Sequence, residues 1–188
     1  MKKLSLIIAV IGILAPVSLG QERRGEKFPQ LKWRALRVMK SQFPRSMGMI
    51  DSERDDYATN LAGVAIIHLR ENKADDKSRE LARKMILLAL HLSNQNRKAV
   101  VFNGRLGRGE MPEAPQVDYS AKTLGLLLMN RAKLLEKQEG ESNVEVAGYF
   151  FDLASELDPK SEDAIYHSEL FRINHGEVDW NKLLLNRE

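Results

Sequence analysis

The chain has 188 residues, with 29 lysines and arginines, 26 aspartates and glutamates, and no cysteine. The absence of cysteine excludes disulfides, thiolate metal ligands and cysteine nucleophiles, so the fold must depend on apolar burial. The net charge of +3 is unevenly distributed. Residues 21–45 contain eight basic and two acidic residues, whereas the chain beyond residue 45 contains more acidic than basic residues. The composition predicts one domain with an acidic body and a basic N-terminal arm.

The N-terminus has the pattern of a secretory signal peptide. A Met-Lys-Lys start precedes an apolar run over residues 4–19, and Ser18 and Gly20 are small. This pattern predicts a signal peptide over residues 1–20, cleaved between Gly20 and Gln21. The run is shorter than the roughly 20 residues of a spanning helix, but an uncleaved anchor formed by residues 4–19 is the alternative. We therefore expect an exported, periplasmic protein.

The basic arm, residues 21–50, contains a helical pattern. Apolar residues recur at three- and four-residue spacing and predict a helix over residues 30–43, followed by a connector. These apolar residues are Trp33, Leu36, Met39 and Phe43. One interpretation is that this stripe packs inward and the basic residues are solvated. In the other, residues 27–45 bind an anionic membrane surface or another polyanion. The basic residues concerned are Lys32, Arg34, Arg37, Lys40 and Arg45.

Helical patterns continue through the rest of the chain. A helix that begins at Asp55 or Asp56 and runs to about residue 72 is apolar on most sides, which is typical of a helix sandwiched between others. A second helix over residues 78–93 starts after Asp75-Asp76, and a short third helix runs to residue 102. Glycines and prolines predict a loop over residues 103–117.

The second half follows the same plan. Helices are predicted over residues 119–137 and 144–157, and then from an N-cap at Ser161 to about residue 174. A final short helix over residues 178–185 is expected to cover the open end of a helical stack. No alternating pattern predicts a strand, so the fold class is all-α.

These halves repeat each other. Residues 57–101 align without a gap onto residues 122–166, an offset of 65. The matched pairs are Leu61 with Leu126, Leu69 with Leu134, Glu71 with Glu136, Ala82 with Ala147, Ala89 with Ala154, Leu92 with Leu157 and Ala99 with Ala164. A recurring helical unit cannot bury its apolar face alone and stacks on its neighbour. We place the copies at residues 55–102 and 118–175, within a domain over residues 51–188.

One stretch of the second copy carries a family pattern. Small residues one helical face apart, an aromatic between them and a following proline are found at Ala147, Phe151, Ala154 and Pro159. This resembles the second helix and boundary of a tetratricopeptide repeat. The first copy has Ala82, Ile86 and Ala89 at equal spacing but Asn94 in place of the proline. The copies lie 65 residues apart, nearly twice the usual period, which departs from the family pattern.

The resemblance implies an α-solenoid of stacked antiparallel helical hairpins, whose groove binds a peptide or a partner protein. Groove residues in that family come mostly from first helices. Here they would be Asn60, His68 and Glu71 in the first copy and Asn130, Lys133 and Lys137 in the second. The alternative is an ordinary solvated helix face.

No motif indicates chemistry. The four histidines form no HExxH pair, and the stretch NGRLGRGE at residues 103–110 lacks both the preceding strand and the GK[ST] ending of a phosphate loop. We therefore expect no catalytic residue, metal or cofactor. The sequence favours an exported, non-enzymatic scaffold for a partner protein. The alternative is a peripheral membrane or polyanion-binding protein acting through residues 27–45, with nucleic acid not expected as a partner.

Overall fold

The computed structural model describes residues 31–138 and 140–184, and these residues form an all-α structure. Its helices are α1 (Asp51–Glu71), α2 (Asp76–Leu92), α3 (Arg97–Gly107), α4 (Ala121–Lys137), α5 (Glu141–Leu157), α6 (Glu162–His175) and α7 (Trp180–Leu184). The predicted signal peptide and its cleavage point lie outside the described residues. The fold class predicted from the sequence is confirmed.

Side-chain caps set several helix starts. The Asp75 carboxylate accepts a hydrogen bond from the Ser78 N–H at 2.7 Å, and the Ser161 hydroxyl accepts one from the Ala164 N–H at 3.2 Å. Both starts agree with the sequence prediction, because a side-chain acceptor satisfies one of the free N–H groups of the first turn. Asn96 and Ser120 cap α3 and α4 in the same way.

The predicted start of α1 at Asp55 or Asp56 is wrong. The helix begins at Asp51, and its N-cap residue, Ile50, makes no side-chain cap. Asp55 instead accepts hydrogen bonds from the Ser93 hydroxyl at 2.7 Å and from Asn96 Nδ2 at 3.0 Å. Its carboxylate therefore joins α1 to the turn between α2 and α3.

The helices form four layers. The hairpins α1–α2 and α4–α5 pack directly on each other, α1 beside α4 and α2 beside α5. On one side of α1, the ring of Tyr57 lies 5.2 Å from that of Phe150 in α5. On its other side, the Thr59 hydroxyl accepts from Asn96 at the start of α3. The order is therefore α3, α1–α2, α4–α5, α6. A helix in the middle of such a stack is apolar on most of its surface, as α1 is.

This order differs from that of a solenoid. In a solenoid each hairpin packs on the element that precedes it in the chain. Here α4–α5 packs on α1–α2, and α3 makes no extensive contact with the second copy within the described residues. The hairpins α1–α2 and α4–α5 therefore lie back to back, with α3 and α6 as the outermost of helices α1–α6.

Some helices begin at positions separated by the 65 residues that relate the two halves of the sequence. Helices α2 and α5 each have 17 residues and begin 65 residues apart, and α3 and α6 also begin 65 residues apart. The small residues of the second helices, Ala82, Ala89, Ala147 and Ala154, are all fully buried. These alanines let neighbouring helices approach closely.

Helix α4 departs from that offset. Leu126 and Leu134 align with the buried Leu61 and Leu69, yet each is 53% exposed. The buried position that corresponds to Leu61 is instead occupied by Leu124, which lies 63 residues further along the chain. This shift of two residues relative to the 65-residue offset turns the buried face of the helix by about 200°, since each residue rotates a helix by about 100°.

The predicted helix over residues 30–43 is wrong. Residues 31–50 contain no helix, and the segment crosses α2 and α3 in an irregular, extended form. Its Leu36 N–H donates to Asn103 Oδ1 at 2.9 Å, and its carbonyl accepts from Asn103 Nδ2 at 2.8 Å. The backbone is therefore paired with a side chain of α3 and not within a helix. Phe43 is buried in the common core, so residues 31–49 pack as part of the helical domain.

Two other predictions are corrected. Helix α3 continues to Gly107, beyond the expected loop start at residue 103, and Gly107 allows Ala35 to lie directly against the helix. The final helix α7 forms, but it packs on α2 and does not cover α6. Its Leu183 is buried, and the Leu183 carbonyl lies 2.8 Å from His91 Nε2.

Candidate functional site

The groove predicted on the first copy is closed. Asn60 is only 5% exposed, and its amide donates to the Asp56 carbonyl at 3.0 Å within α1. His68 is half-buried beside Asn72, and burial lowers the pKa of His68. Glu71 is exposed at the end of α1. These three residues do not form an open polar strip.

The connector between α3 and α4, residues 108–120, also covers part of α1. It runs along α1, where a Cβ at Gly63 would stand 2.5 Å from Val117. Arg70 donates to the Pro112 carbonyl at 2.9 Å and Lys98 donates to the Gln116 carbonyl at 3.2 Å. The glycines and prolines of this stretch predicted a loop, but no pattern in the sequence indicated that it would lie on α1.

The corresponding surface of the second copy is open. On α4, Asn130 and Lys137 are exposed and Lys133 is half-buried. The exposed Leu126 and Leu134 lie four residues before and after Asn130, on the same face of the helix. This face is therefore both polar and apolar.

Helix α6 beside it has the most exposed apolar surface of any described helix. Of its 14 residues only Ala164 and Phe171 are buried. Tyr166 is 60% exposed and Ile173 is 77% exposed, with Leu170 between them. These three residues have spacings of four and three, so they form one stripe along the helix. We call Tyr166, Leu170 and Ile173 the outer stripe of α6.

The two outermost helices differ near their C-terminal ends. Arg105 lies in the last turn of α3 and Arg108 follows the helix, whereas Leu170 and Ile173 lie towards the end of α6. Both arginines pair with Glu110, at 3.6 and 3.2 Å, and the hydrogen bond from Arg108 lowers the pKa of that carboxyl. The C-terminal end of α3 therefore carries paired charges, whereas α6 exposes large apolar residues beside the ion pairs of Arg172 with Glu169 and Glu177. A helical stack that ends in water normally has a polar outer face.

The histidines of α6 anchor the helix from its inner side. His167 stacks on Phe151 at 5.8 Å between ring centroids, and His175 lies 4.6 Å from the Phe171 ring. His175 Nε2 also lies 3.3 Å from a Glu136 oxygen on α4. Burial, and then the charge of Lys133, lowers the pKa of His167. These contacts fix α6 against α4 and α5 and leave its outer stripe free.

The five cations of the arm point outward. Lys32, Arg34, Arg37, Lys40 and Arg45 are exposed. The apolar residues between them divide: Leu36 and Phe43 are buried, Trp33 is half-buried, and Met39 is 86% exposed. The amphipathic helix that would lie on a membrane is therefore not formed in residues 31–50.

A crevice lies between this arm and α2. It has a volume of about 550 Å³ and is lined by Arg34, Ala35, Leu36, Arg37, Arg83, Leu87 and Leu184. No pattern in the sequence points to Arg83, because it lies within an ordinary amphipathic helix and only the path of the arm brings it close to Arg34.

Another polar cluster has a structural explanation. Lys84 of α2 lies between Asp152 and Glu156 of α5, 3.1 Å from the first, and 5.3 Å from the Trp180 ring centroid. Trp180 Nε1 donates to Asp152 at 2.7 Å. Burial raises the pKa of Glu156. The cluster joins α2, α5 and α7, and each of these polar groups has its partner.

The described residues contain no group of three or more histidines and carboxylates arranged to hold a metal ion. None of the helices in residues 31–138 and 140–184 has the length and apolar character needed to cross a bilayer. Comparison with protein-family models, with curated proteins and with solved structures finds no match.

Proposed function

We propose that this chain is a non-enzymatic interaction scaffold that binds a helix of a partner protein on the outer stripe of α6. The observation that carries the proposal is the exposure of Tyr166, Leu170 and Ile173 on a helix that buries only two of its residues. Contiguous apolar surface on a soluble domain marks a site of interaction.

The shape of the stripe favours a helix as the partner. Its ends, Tyr166 and Ile173, lie about 10 Å apart along the axis at 1.5 Å per residue. Ridges with spacings of three and four residues fit the grooves of another helix. Amphipathic helices are recognised through anchors at these same intervals. The partner helix would thus occupy the place of a further layer in the stack.

The face of α4 supplies polar contacts beside the stripe. Lys133 and Lys137 lie on this helix with Asn130, the second set of residues predicted for a groove. A partner helix with apolar residues on one face and acidic residues at its edge would match both surfaces. The resemblance of residues 147–164 to a tetratricopeptide repeat supports the same class of function. The N-terminal pattern supports a periplasmic partner.

Affinity purification from the periplasmic fraction tests this proposal. The tagged wild-type chain is compared with Tyr166→Ser/Ile173→Ser, and bound proteins are quantified by mass spectrometry. We expect the double variant to recover one partner protein about tenfold less than the wild type or lower still. The reason is that the loss of two central apolar anchors weakens binding by about that factor. The matched control is Val100→Ser/Val101→Ser on the exposed face of α3.

The control variant should retain the partner at wild-type levels. Equal recovery with all three chains would refute binding through α6. Self-association that depends on the same two residues would instead identify a second copy of the chain as the occupant, which would also contradict a hetero-partner.

The alternative function, attraction to an anionic surface by the arm, is favoured by the outward direction of its five cations. Since its large apolar residues mostly pack inward, this binding would depend on charge and would weaken with salt. Co-sedimentation with anionic vesicles should then fall when Lys32, Arg34, Arg37, Lys40 and Arg45 are all changed to glutamine. Unchanged co-sedimentation would exclude this function.

A further inference from the structure

We propose that protonation of His91 releases residues 41–43 of the arm from α2, while His91 keeps its hydrogen bond to α7. The arm is then a strap across the helices that loosens at this one point when the pH falls. This regulation does not depend on the proposed partner binding and uses no residue of α4 or α6.

Two backbone groups fix the position of the proton on the His91 ring. The Gln42 N–H donates to His91 Nδ1 at 3.2 Å, so Nδ1 carries no proton. His91 Nε2 lies 2.8 Å from the Leu183 carbonyl, which can only accept, so Nε2 carries the proton. His91 is buried, and both nitrogens therefore depend on these protein partners. The neutral ring thus joins the arm to α7 through one acceptor and one donor.

A second proton on the ring affects these two contacts in opposite ways. It must bind to Nδ1, where it points at the N–H of Gln42. Two donors then face each other, and the hydrogen bond from Gln42 is lost. The hydrogen bond from Nε2 to Leu183 is kept and becomes stronger, because its donor is now charged. Protonation therefore loosens the arm and holds α7.

Other contacts of the arm confine this release to a short segment. Arg54 Nη2 donates to the Phe43 carbonyl at 3.3 Å, and the side chain of Gln42 donates to the Lys182 carbonyl at 2.6 Å. Neither contact involves the imidazole ring, so both remain when the ring is charged. The opening is therefore local to residues 41–43 and is reversed when the pH rises again.

Charged groups on three helices lie around this place, and they set the direction of the response. Burial lowers the pKa of His91, whereas the Leu183 carbonyl and Glu145 of α5 act in the opposite direction. Glu145 is already paired with Lys182 of α7 at 2.9 Å, so it only partly offsets the charge of a protonated ring. Arg54 of α1 adds a second positive charge near the segment. The ring is thus neutral at pH 7 and takes up its proton below a pH of about 6.5.

NMR of the full chain, recorded from pH 7 down to acid unfolding, tests the proposal through the ring nitrogens and amide hydrogen exchange. At pH 7 the His91 ring should have an unprotonated Nδ1. As the ring titrates, the protection of the Gln42 amide should fall about tenfold, as expected for the loss of one hydrogen bond. The Leu36 amide, held by Asn103, is the internal control and should keep its protection. The indole N–H of Trp180 should also stay protected, because α7 remains in place.

The variant His91→Gln should remove the pH-dependent change at Gln42, because its side chain does not titrate. The matched control is His68→Gln, at a ring beside Asn72 in α1, and it should behave like the wild type. A proton on Nδ1 at pH 7, or a ring that does not titrate before the chain unfolds, would overturn the proposal. Equal loss of protection at Leu36 and Gln42 would do the same, as would an unchanged response in His91→Gln. All but the last of these outcomes are measured on the wild-type chain, so the test does not depend on the folding of a variant.

Discussion

Asn103 shows how one side chain fixes a long segment of chain. It accepts from the Leu36 N–H at 2.9 Å and from Trp33 Nε1 at 3.3 Å, and it donates to the Leu36 carbonyl at 2.8 Å. An asparagine amide can pair with both polar groups of one backbone residue because it carries a donor and an acceptor. The Asn103 side chain thus makes the two hydrogen bonds to Leu36 that a neighbouring strand would make in a β-sheet.

We predict that Asn103→Ala destabilises the protein by about 1–3 kcal/mol, because the Leu36 N–H and carbonyl lose their partners in a buried place. Urea denaturation measures this change, and limited trypsin digestion should show faster cleavage within residues 32–37. Asn94→Ala is the control, since exposed Asn94 makes only a 3.3 Å hydrogen bond to the Met39 carbonyl. Equal effects of the two substitutions would contradict the role of Asn103.

His91 makes the stability depend on pH. It is buried, its Nδ1 accepts from the Gln42 N–H at 3.2 Å, and its Nε2 faces the Leu183 carbonyl at 2.8 Å. Burial lowers the pKa of His91 in the folded state, with Glu145 acting in the opposite direction. The unfolded chain, with a pKa of about 6.5, therefore binds the proton more readily than the folded one.

The stability contributed by neutral His91 should be fully present above pH of about 6.5 and fall as the pH decreases through the folded-state pKa. We predict that urea denaturation midpoints fall between pH 7 and pH 5, and that His91→Gln reduces this fall. His68→Gln, at a half-exposed site, should reduce it less. A steeper fall in His91→Gln than in the wild type would show that the sign is wrong.

Replacing a glycine by alanine should have opposite effects on stability in helices α5 and α3. A Cβ at Gly148 of α5 would stand 2.6 Å from the Phe171 ring of α6, whereas a Cβ at Gly104 of α3 meets only the end of Arg108 at 3.7 Å. Gly148→Ala should destabilise by about 1–3 kcal/mol through overpacking. Gly104→Ala should stabilise by about 0.5–1 kcal/mol through helix propensity.

Thermal denaturation of the two alanine variants measures both changes. Because Phe171 anchors α6 on α5, hydrogen exchange in α6 should rise in Gly148→Ala more than exchange in α3. A stabilised Gly148→Ala variant would mean that α6 is not packed as closely on α5 as the structure has it.

The sequence predicted elements well where the signal was local. Ser161 and Asp75 cap helices because their side chains reach N–H groups three residues on, which needs no tertiary contact. The helix predicted for the arm was wrong because a distant contact decides its structure. The apolar residues have helical spacing, but the backbone of Leu36 is paired with Asn103, 67 residues away.

For the whole molecule, too, the sequence predicted local features and not the contacts between distant segments. Apolar spacing and the repeat predicted an all-α fold, and the apolar residues on most sides of α1 in its second half predicted a sandwiched position. The order of the layers was not predictable, because it depends on the return of the connector along α1, where Gly63 makes room for Val117. Of the predicted partner-binding residues, the set on α4 lies on the open surface.

The back-to-back order leaves two ends, and they are unlike. The end at α3 has Arg105 and Arg108 paired with Glu110, while the end at α6 exposes Leu170 and Ile173. We expect the partner to add to the stack at the end where α6 exposes these apolar residues.

Photo-crosslinking in the producing cell tests this claim most directly. A benzophenone amino acid is placed at position 173 of α6 or, for comparison, at position 101 of α3, where Val101 is also exposed. We expect a discrete higher-mass adduct with one partner protein from position 173 and none from position 101. Adducts from both positions alike, or from position 101 alone, would contradict binding at α6.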